Sequence, residues 1–329
     1  MTSRRRRTLR VLTYNILLGG VGREDRIARI LRRTDADIIA LQEANDVALV
    51  RRLARALHMH HIAGRPSDGG DLNLAVLSRL PIIRHRNHTH RAMLRSHLEA
   101  TIDTGRGPLG IHVVHLAARF GESNKGEARR MRELDEILAD IDGAGGAPHL
   151  IVGDFNALSP GDGVEATAFF RRMAELRRAK LVVRQEGGRV GPRPRAEMNR
   201  ELEEAWLKVG IHPHLDVGIP VLPLAVGPLT QFVPRSRRVD QALGRLIERW
   251  SMERLRSLGY TDCYRRLHPR ARGYTCATWL PAARIDYILA SRDLANRIVR
   301  CEVVGSRVWP DSDARTASDH FPLLVDIQF

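Results

Sequence analysis

The stretch "IVGDFNAL", Ile151 to Leu158, decides how the rest of the chain is read. An apolar, strand-like run ends in a carboxylate and a carboxamide two positions apart. Side chains alternate along a strand, so Asp154 and Asn156 are expected on one face while Phe155 turns to the other. Polar groups at the end of a buried strand need partners or a task, because burying them alone is costly. The same pattern recurs along the chain: Asn15 after "VLTY", Glu43 after "IIALQ", His115 after "IHVV", Asp286 after "ARI", and Asp319 with His320 before "FPLLVDI". Strand ends are where α/β folds place their site residues.

Each of these residues has a plain structural alternative. Asn15 is a turn former, Glu43 a loop cap, His115 a core histidine and Asp154 an acceptor for turn amides. Asp286 is within reach of Arg284, Asp319 suits a turn and His320 a surface. Only their joint occurrence, in this order and always at the end of an apolar run, points to one shared site.

The intervening segments alternate between strand and helix patterns, which predicts α/β layers. "LRVLTYNIL" reads as a buried strand. "REDRIARILRRTDADIIALQEA" reads as an amphipathic helix followed by a strand ending at Glu43. "DVALVRRLARALHM" is a helix, "NLAVLSRLPI" a strand, and "LEATIDT" with "GPLGIHVVHLAA" a hairpin pair. "NKGEARRMRELDEILADI" is a helix with Met131, Leu134, Ile137 and Leu138 at helical spacing. "AARIDYILAS", "RIVRCEVVG" and "SDHFPLLVDIQF" are strand-like. Between them, residues 161–260 differ. "EATAFFRRMAELRRAK", "RAEMNRELEEAWLKVG" and "VDQALGRLIERWSMERLRSLG" are helix-forming, and "IHPHLDVGIPVLPLAVGPL" is broken by prolines. The expectation is one domain over residues 8–329, interrupted by a helical insertion at about 161–260. Residues 1–7 form a basic tail.

With 329 residues, 43% of them hydrophobic, the chain can bury a sizeable core. Of 53 basic residues only Lys125, Lys180 and Lys208 are lysines, so the net charge of +15 is carried by arginine. Guanidinium forks suit phosphate oxygens and stack on bases, although a compositional bias explains the arginines equally well. Cys263, Cys276 and Cys301 are too few and too far apart for a disulfide framework or a zinc knuckle. "MTSRRRRTLRVLTYNILLGG" has a basic start, but Thr13, Tyr14 and Asn15 break the apolar run of a signal peptide. No stretch is apolar enough for a membrane span. A cytoplasmic monomer without an obligate protein partner is expected. The histidine tracts "HMHH" (His58 to His61) and "HRNHTH" (His85 to His90) are read as solvated loops rather than a metal tract. "GAGGAP" is read as a linker, since it lacks the lysine of a phosphate-binding loop.

"TYNIL", "LQEA", "LSRLPI", "VVHL", "GDFNA", "RIDYIL" and "SDHFPLLVDI" together resemble the endonuclease/exonuclease/phosphatase superfamily. Its fold is shared by DNase I-like nucleases, apurinic endonucleases, sphingomyelinases and inositol-polyphosphate phosphatases. The matching stretches cover residues 8–160 and about 260–329. The resemblance implies a DNase I-like four-layered sandwich of class α/β (α+β): two packed mixed β-sheets flanked by helices, with the site at one end.

It also implies roles that suit phosphodiester hydrolysis, which needs a Lewis acid, an oriented water and stabilisation of developing charge. Oxygen ligands without thiolates suit Mg²⁺ or Mn²⁺. Glu43 is implied as the first metal ligand, with Asn15 and Asp319 as direct or water-mediated ligands. Asp154 would orient or deprotonate the attacking water, and Asn156 would hold a phosphoryl oxygen or fix Asp154. His320 would contact the phosphate as a donor or as an acid/base, Asp286 would orient it and favour its charged form, and His115 would supply a second donor. Arg79 and Arg119 are further phosphate-side candidates.

The pattern departs from the apurinic endonucleases, which carry a tyrosine at the position of His115 and a Lys/Trp-rich approach to the segment matching "RIDYIL". Here "RGYTCATWLPAARIDYIL" has Trp279 and no lysine, and it resembles a bacterial group within the superfamily. No hairpin of exposed aromatics suggests a secreted sphingomyelinase. The leading expectation is a divalent-metal-dependent nuclease, endo or exo, acting on nucleic acid. A phosphatase or phosphodiesterase for a small molecule or lipid headgroup is the alternative. A non-catalytic nucleic-acid-binding protein on this fold is third, disfavoured because every expected catalytic position is filled.

Overall fold

In the computed structural model the described residues are 8–67, 69–70, 73–118, 124–143, 147–172 and 234–329. The first half holds β1 (Thr8–Asn15), α1 (Glu24–Thr34), β2 (Ile38–Gln42), α2 (Val47–Leu57), β3 (His60–Ala63), β4 (Leu74–Ser78), β5 (Ile82–His88), β6 (His97–Asp103) and β7 (Pro108–His115). It continues with α3 (Asn124–Gly143) and β8 (His149–Asp154). Then follow α4 (Arg237–Arg245), α5 (Trp250–Ser257), β9 (Thr261–Asp262), α6 (Cys263–Leu267), β10 (Asp286–Ala290), α7 (Arg292–Ala295), β11 (Ile298–Val303) and β12 (Leu323–Gln328).

The helices form where the apolar spacing places one stripe inward. In α1, Ile27, Ile30, Leu31 and Thr34 are buried, Glu24 and Asp25 occupy the first turn, and Arg32 and Arg33 the last, as the helix dipole favours. The chain leaves α1 through Asp35 in the left-handed conformation. α2 starts on Asp46, whose side chain accepts the Ala48 N–H, a cap worth about 1 kcal/mol.

The strands form two six-stranded sheets, ordered β11-β12-β1-β2-β4-β3 and β5-β6-β7-β8-β10-β9. β1 and β2 run parallel in the first sheet, as do β7 and β8 in the second, and the other pairings are antiparallel. The sheets pack through Val11, Ile38, Val76 and Val325 on one side and Ala100, Ile111, Val113 and Val152 on the other. A second apolar cluster covers the outer face of the second sheet. There Val114, Ile151 and Leu289 meet Leu134, Ile137 and Ile141 of α3 and Met252 and Leu255 of α5. This is the DNase I-like α+β sandwich, and its register brings four strand ends together. Asn15 pairs with Gln42 at the ends of β1 and β2, and His115 with Asp154 at the ends of β7 and β8. Asp286, at the start of β10, lies opposite Asp154.

Three readings of the sequence need correction. The histidine tracts are strands rather than loops: "HMHH" enters β3 and "HRNHTH" forms much of β5, with His88 buried. Both are edge strands, and their exposed faces erased the apolar alternation that reveals a strand. The segment "VDQALGRLIERWSMERLRSLG" is two helices, because the Arg249 guanidinium binds the Gly244 and Ile247 carbonyls and turns the chain between them. Arg79 lies at the wrong end of the sheet. It pairs with Asp35 at 2.6 Å, beside Ser78, which faces the start of β2. Arg119, "RAEMNRELEEAWLKVG", the proline-broken stretch and residues 144–146 of "GAGGAP" lie outside the described residues. The cysteines are free, and no helix of the described residues is long and apolar enough to cross a membrane.

Candidate active site

At this end of the sandwich the strands contribute polar side chains from both sheets. Asn15 bridges them: its amide nitrogen donates to Glu43 Oε1 and to Asp154 Oδ2, both at 3.2 Å. Its Oδ1 accepts the Leu17 N–H at 3.0 Å, which fixes which way the amide faces. Glu43 sits just past β2 in the left-handed conformation (φ 54°), and its Oε2 accepts the Leu18 N–H at 2.8 Å. The loop after β1 is held by Arg23, a buried guanidinium that donates to the carbonyls of Ile16, Leu17 and Ala317.

Asp154 ends β8 and is 1% exposed. Its Oδ1 accepts the backbone N–H of Asn156 at 2.9 Å. Asn156 has φ 48°, so the alternating-strand expectation fails here. The strand stops at Asp154, and an Asx turn sets Asn156 beside it. The Asn156 amide donates to the Leu116 carbonyl at 3.0 Å. Gly153 explains the glycine of "GDFN": its φ is 143°, and an added Cβ would lie 1.9 Å from the Val114 carbonyl oxygen of β7.

His320 precedes β12, and its Nδ1 faces the Asp286 carboxylate at 2.9 Å. Its Nε2 lies 3.8 Å from Asp154 Oδ2 and 4.0 Å from Asp319 Oδ1. Asp286 does not use Arg284. That side chain, fully buried, grips Asp162 and Asp262 with both sides of its fork. His115 Nε2 lies 3.4 Å from Asp154 Oδ2, and its buried Nδ1 has no hydrogen-bond partner among the described residues. The "SDH" turn is pinned by Ser318, whose hydroxyl donates to the Asn15 carbonyl at 2.7 Å. Thr278 donates to the carbonyls of Ser318 and Asp319.

All eight expected residues therefore meet at one place. Arg23, Ser318 and Thr278 support them and were not singled out from sequence, since each acts through carbonyls that no motif marks. Burial, the largest influence on Asp154, pushes its carboxyl up to about 7 against the opposing pull of His320. Burial opposes charge on His320, yet Asp286, Cys276, Asp319 and Asp154 raise it well above its ordinary value. Burial pushes the His115 imidazole well below its ordinary value.

The donor set around Asn15 suits a hard dication. Glu43 and Asp319 offer only oxygen on this side, Asn15 turns its amide nitrogen toward Glu43 and Asp154, and burial together with the Glu43 charge raises the Asp319 carboxyl. A cation between the two carboxylates relieves the charge that Glu43 places on Asp319. Asp154, Asp286 and His320 also lie close enough to hold an ion, but the imidazole nitrogen facing Asp286 is used in that contact.

A model of the Endonuclease/Exonuclease/phosphatase family matches residues 12–320. Among solved structures, the chain resembles a 3' phosphatase from Neisseria, bound to product DNA hairpin, with 16% identity and a TM-score of 0.58, over 98% of this chain and 100% of that one. An AP endonuclease from Archaeoglobus fulgidus gives 15% identity and a TM-score of 0.57, covering 97% and 99%. Truncated TDP2 from Caenorhabditis elegans gives 14% identity and a TM-score of 0.53, covering 98% of each chain. No curated protein matches the sequence.

Proposed function

The chain belongs to the Endonuclease/Exonuclease/phosphatase family, and from that premise we propose that it is a divalent-metal-dependent phosphodiesterase acting on nucleic acid. The observation that carries the reading is the His320–Asp286 pair facing Asp154 across 3.8 Å, with Asn15 linking Asp154 to Glu43. Glu43 and Asp319, with Asn15 positioning Glu43, would hold Mg²⁺ or Mn²⁺, which would supply Lewis acidity. The protein's own groups do the rest. Asp154, its basicity raised by burial, orients the attacking water and takes its proton. Asn156 holds the turn that aims Asp154. His320 donates from Nε2 to a non-bridging phosphoryl oxygen, while Asp286 at Nδ1 maintains its orientation and charge. His115 stands beside Asp154 as a second donor.

Nucleic acid is favoured by the arginine-borne net charge of +15. The similar structures named as an AP endonuclease and as a DNA-bound 3' phosphatase support it.

The test is hydrolysis of plasmid DNA, single-stranded DNA, RNA, an abasic duplex, a phospholipid and an inositol phosphate, each with Mg²⁺, Mn²⁺ or chelator, beside His320→Ala. Metal-dependent cleavage of nucleic acid, reduced about 10²- to 10⁴-fold in the variant, is expected. Turnover confined to the lipid or the inositol phosphate would refute the substrate class.

A further inference from the structure

On the outer face of the second sheet, turned away from His115, histidines of β5, β6 and the loop between them converge on one carboxylate of α3. His88 Nδ1 lies 2.9 Å from Asp140 Oδ1. His97 Nδ1 and His90 Nε2 lie 2.9 and 2.8 Å from Asp140 Oδ2. His88 and His97 are cross-strand partners, and their rings stack with centroids 4.8 Å apart. His97 is fully buried, and the side chains of His88 and Asp140 are 5% and 13% exposed.

The remaining nitrogens show what holds the group. His88 Nε2 lies 2.9 Å from Glu99 Oε2, His90 Nδ1 3.4 Å from Glu136 Oε2, and His97 Nε2 2.9 Å from His112 Nδ1. A neutral imidazole has one N–H and one lone pair. Both nitrogens of His88, and both of His90, lie within 3.4 Å of carboxylate oxygens, more acceptors than the one N–H of a neutral ring can serve, and ligand atoms of His88, His97 and Asp140 all lie within 4.8 Å of one another. A cation at the centre removes the conflict. Each ring then gives its inner lone pair to the metal and its outer N–H to Glu99, Glu136 or His112. Imidazole ligands whose second nitrogen donates to a carboxylate or another acceptor are the usual outer shell of a bound transition metal.

We propose that His88, His97 and Asp140, with His90 as the outermost fourth donor, form a structural Zn²⁺ site distinct from the oxygen-lined catalytic site. Three imidazoles and one carboxylate match zinc in ligand number and softness, and do not match Mg²⁺. The ion ties the end of β5 and the start of β6 to α3. A cleft of about 360 Å³, lined by Arg84, His88, Glu99 and Asp140, gives it an entrance.

The experiment titrates Co²⁺, then Zn²⁺, into chelator-stripped full-length protein in excess Mg²⁺, with visible absorption and thermal unfolding as readouts. One equivalent of Co²⁺ with the intense bands of a tetrahedral site, displaced by one equivalent of Zn²⁺, is expected, and Zn²⁺ raises the Tm. Asp140→Asn abolishes the bands, Glu99→Gln weakens Zn²⁺ binding about 10- to 100-fold, and Glu43→Gln leaves both intact. Folded wild type that binds no Co²⁺ tetrahedrally overturns the site, whatever the variants do. Bands that survive Asp140→Asn overturn it equally.

Discussion

At the scale of single residues, the candidate site carries a stability cost. Asp154 is wholly buried, and its carboxyl is pushed from the ordinary aspartate range up to about 7, with desolvation as the first cause. A group whose folded pKa is raised contributes stability fully present below the unfolded value and lost as pH rises through the folded one. In chelator-treated protein this loss runs from about pH 4 to about pH 7. Asp154→Asn keeps the shape, does not titrate and escapes the loss. Its Tm should pull ahead of wild type as pH rises through that window. The gain is limited to about 1.4 kcal/mol per unit of pKa shift, while hydrolysis disappears. Parallel Tm curves for the two proteins between pH 4 and 7, measured by calorimetry, would show that Asp154 is not held protonated by its surroundings. The same residue marks how far sequence reading reached. Asp154, His115 and Asp286 were legible because each interrupts an apolar run. The reason Asp154 and Asn156 lie together was misread, since an Asx turn and a strand leave the same two-residue spacing.

At the scale of elements, the piece that sequence did not reveal is the clamp around Arg284. Its guanidinium binds Asp162 and Asp262 at 2.7 to 3.0 Å and lies over the Tyr287 ring at 4.5 Å. It thereby joins the segment following "GDFNAL" and the start of α6 to β10, the strand that begins with Asp286. A partner 122 residues away leaves no local periodicity to read. From sequence alone Arg284 had only Asp286 within reach, as the plain alternative to the Asp286–His320 pair. Removing one member of a buried ion network strands the others. Arg284→Met should therefore cost about 3–5 kcal/mol, leaving Asp162 and Asp262 without their shared counter-charge. Denaturant unfolding measures this, and a loss below about 1 kcal/mol would mean that water or Arg265, which also reaches Asp162, replaces the fork. The histidine site escaped for a related reason. Its ligands come from two edge-side strands and a helix, and only the fold turns "HRNHTH" into inward-facing nitrogens.

At the scale of the whole molecule, the 53 basic side chains are not all available to a polyanion. Arg10 is paired with Asp326, Arg29 with Asp313, Arg33 with Asp311 and Arg284 with two aspartates, so these guanidinium groups are spoken for inside the fold. The number of arginines therefore overstates how many can contact a phosphate, and a binding measurement counts those that do. When a protein neutralises phosphates it releases their counterions, and affinity falls with salt in proportion to the contacts made. For a nucleic-acid substrate the slope of log K against log salt should be about −0.9 per phosphate contacted on duplex DNA. With six or more contacts, Asp154→Asn bound to a labelled duplex should lose about 10³-fold in affinity between about 50 and 200 mM salt. This variant is suited to the measurement because it binds without cleaving and keeps the arginines. A slope near −1 would mean that only the scissile phosphate is engaged, which fits a small phosphorylated substrate. A slope of −5 or steeper would mean that the arginines form a track extending well beyond the site.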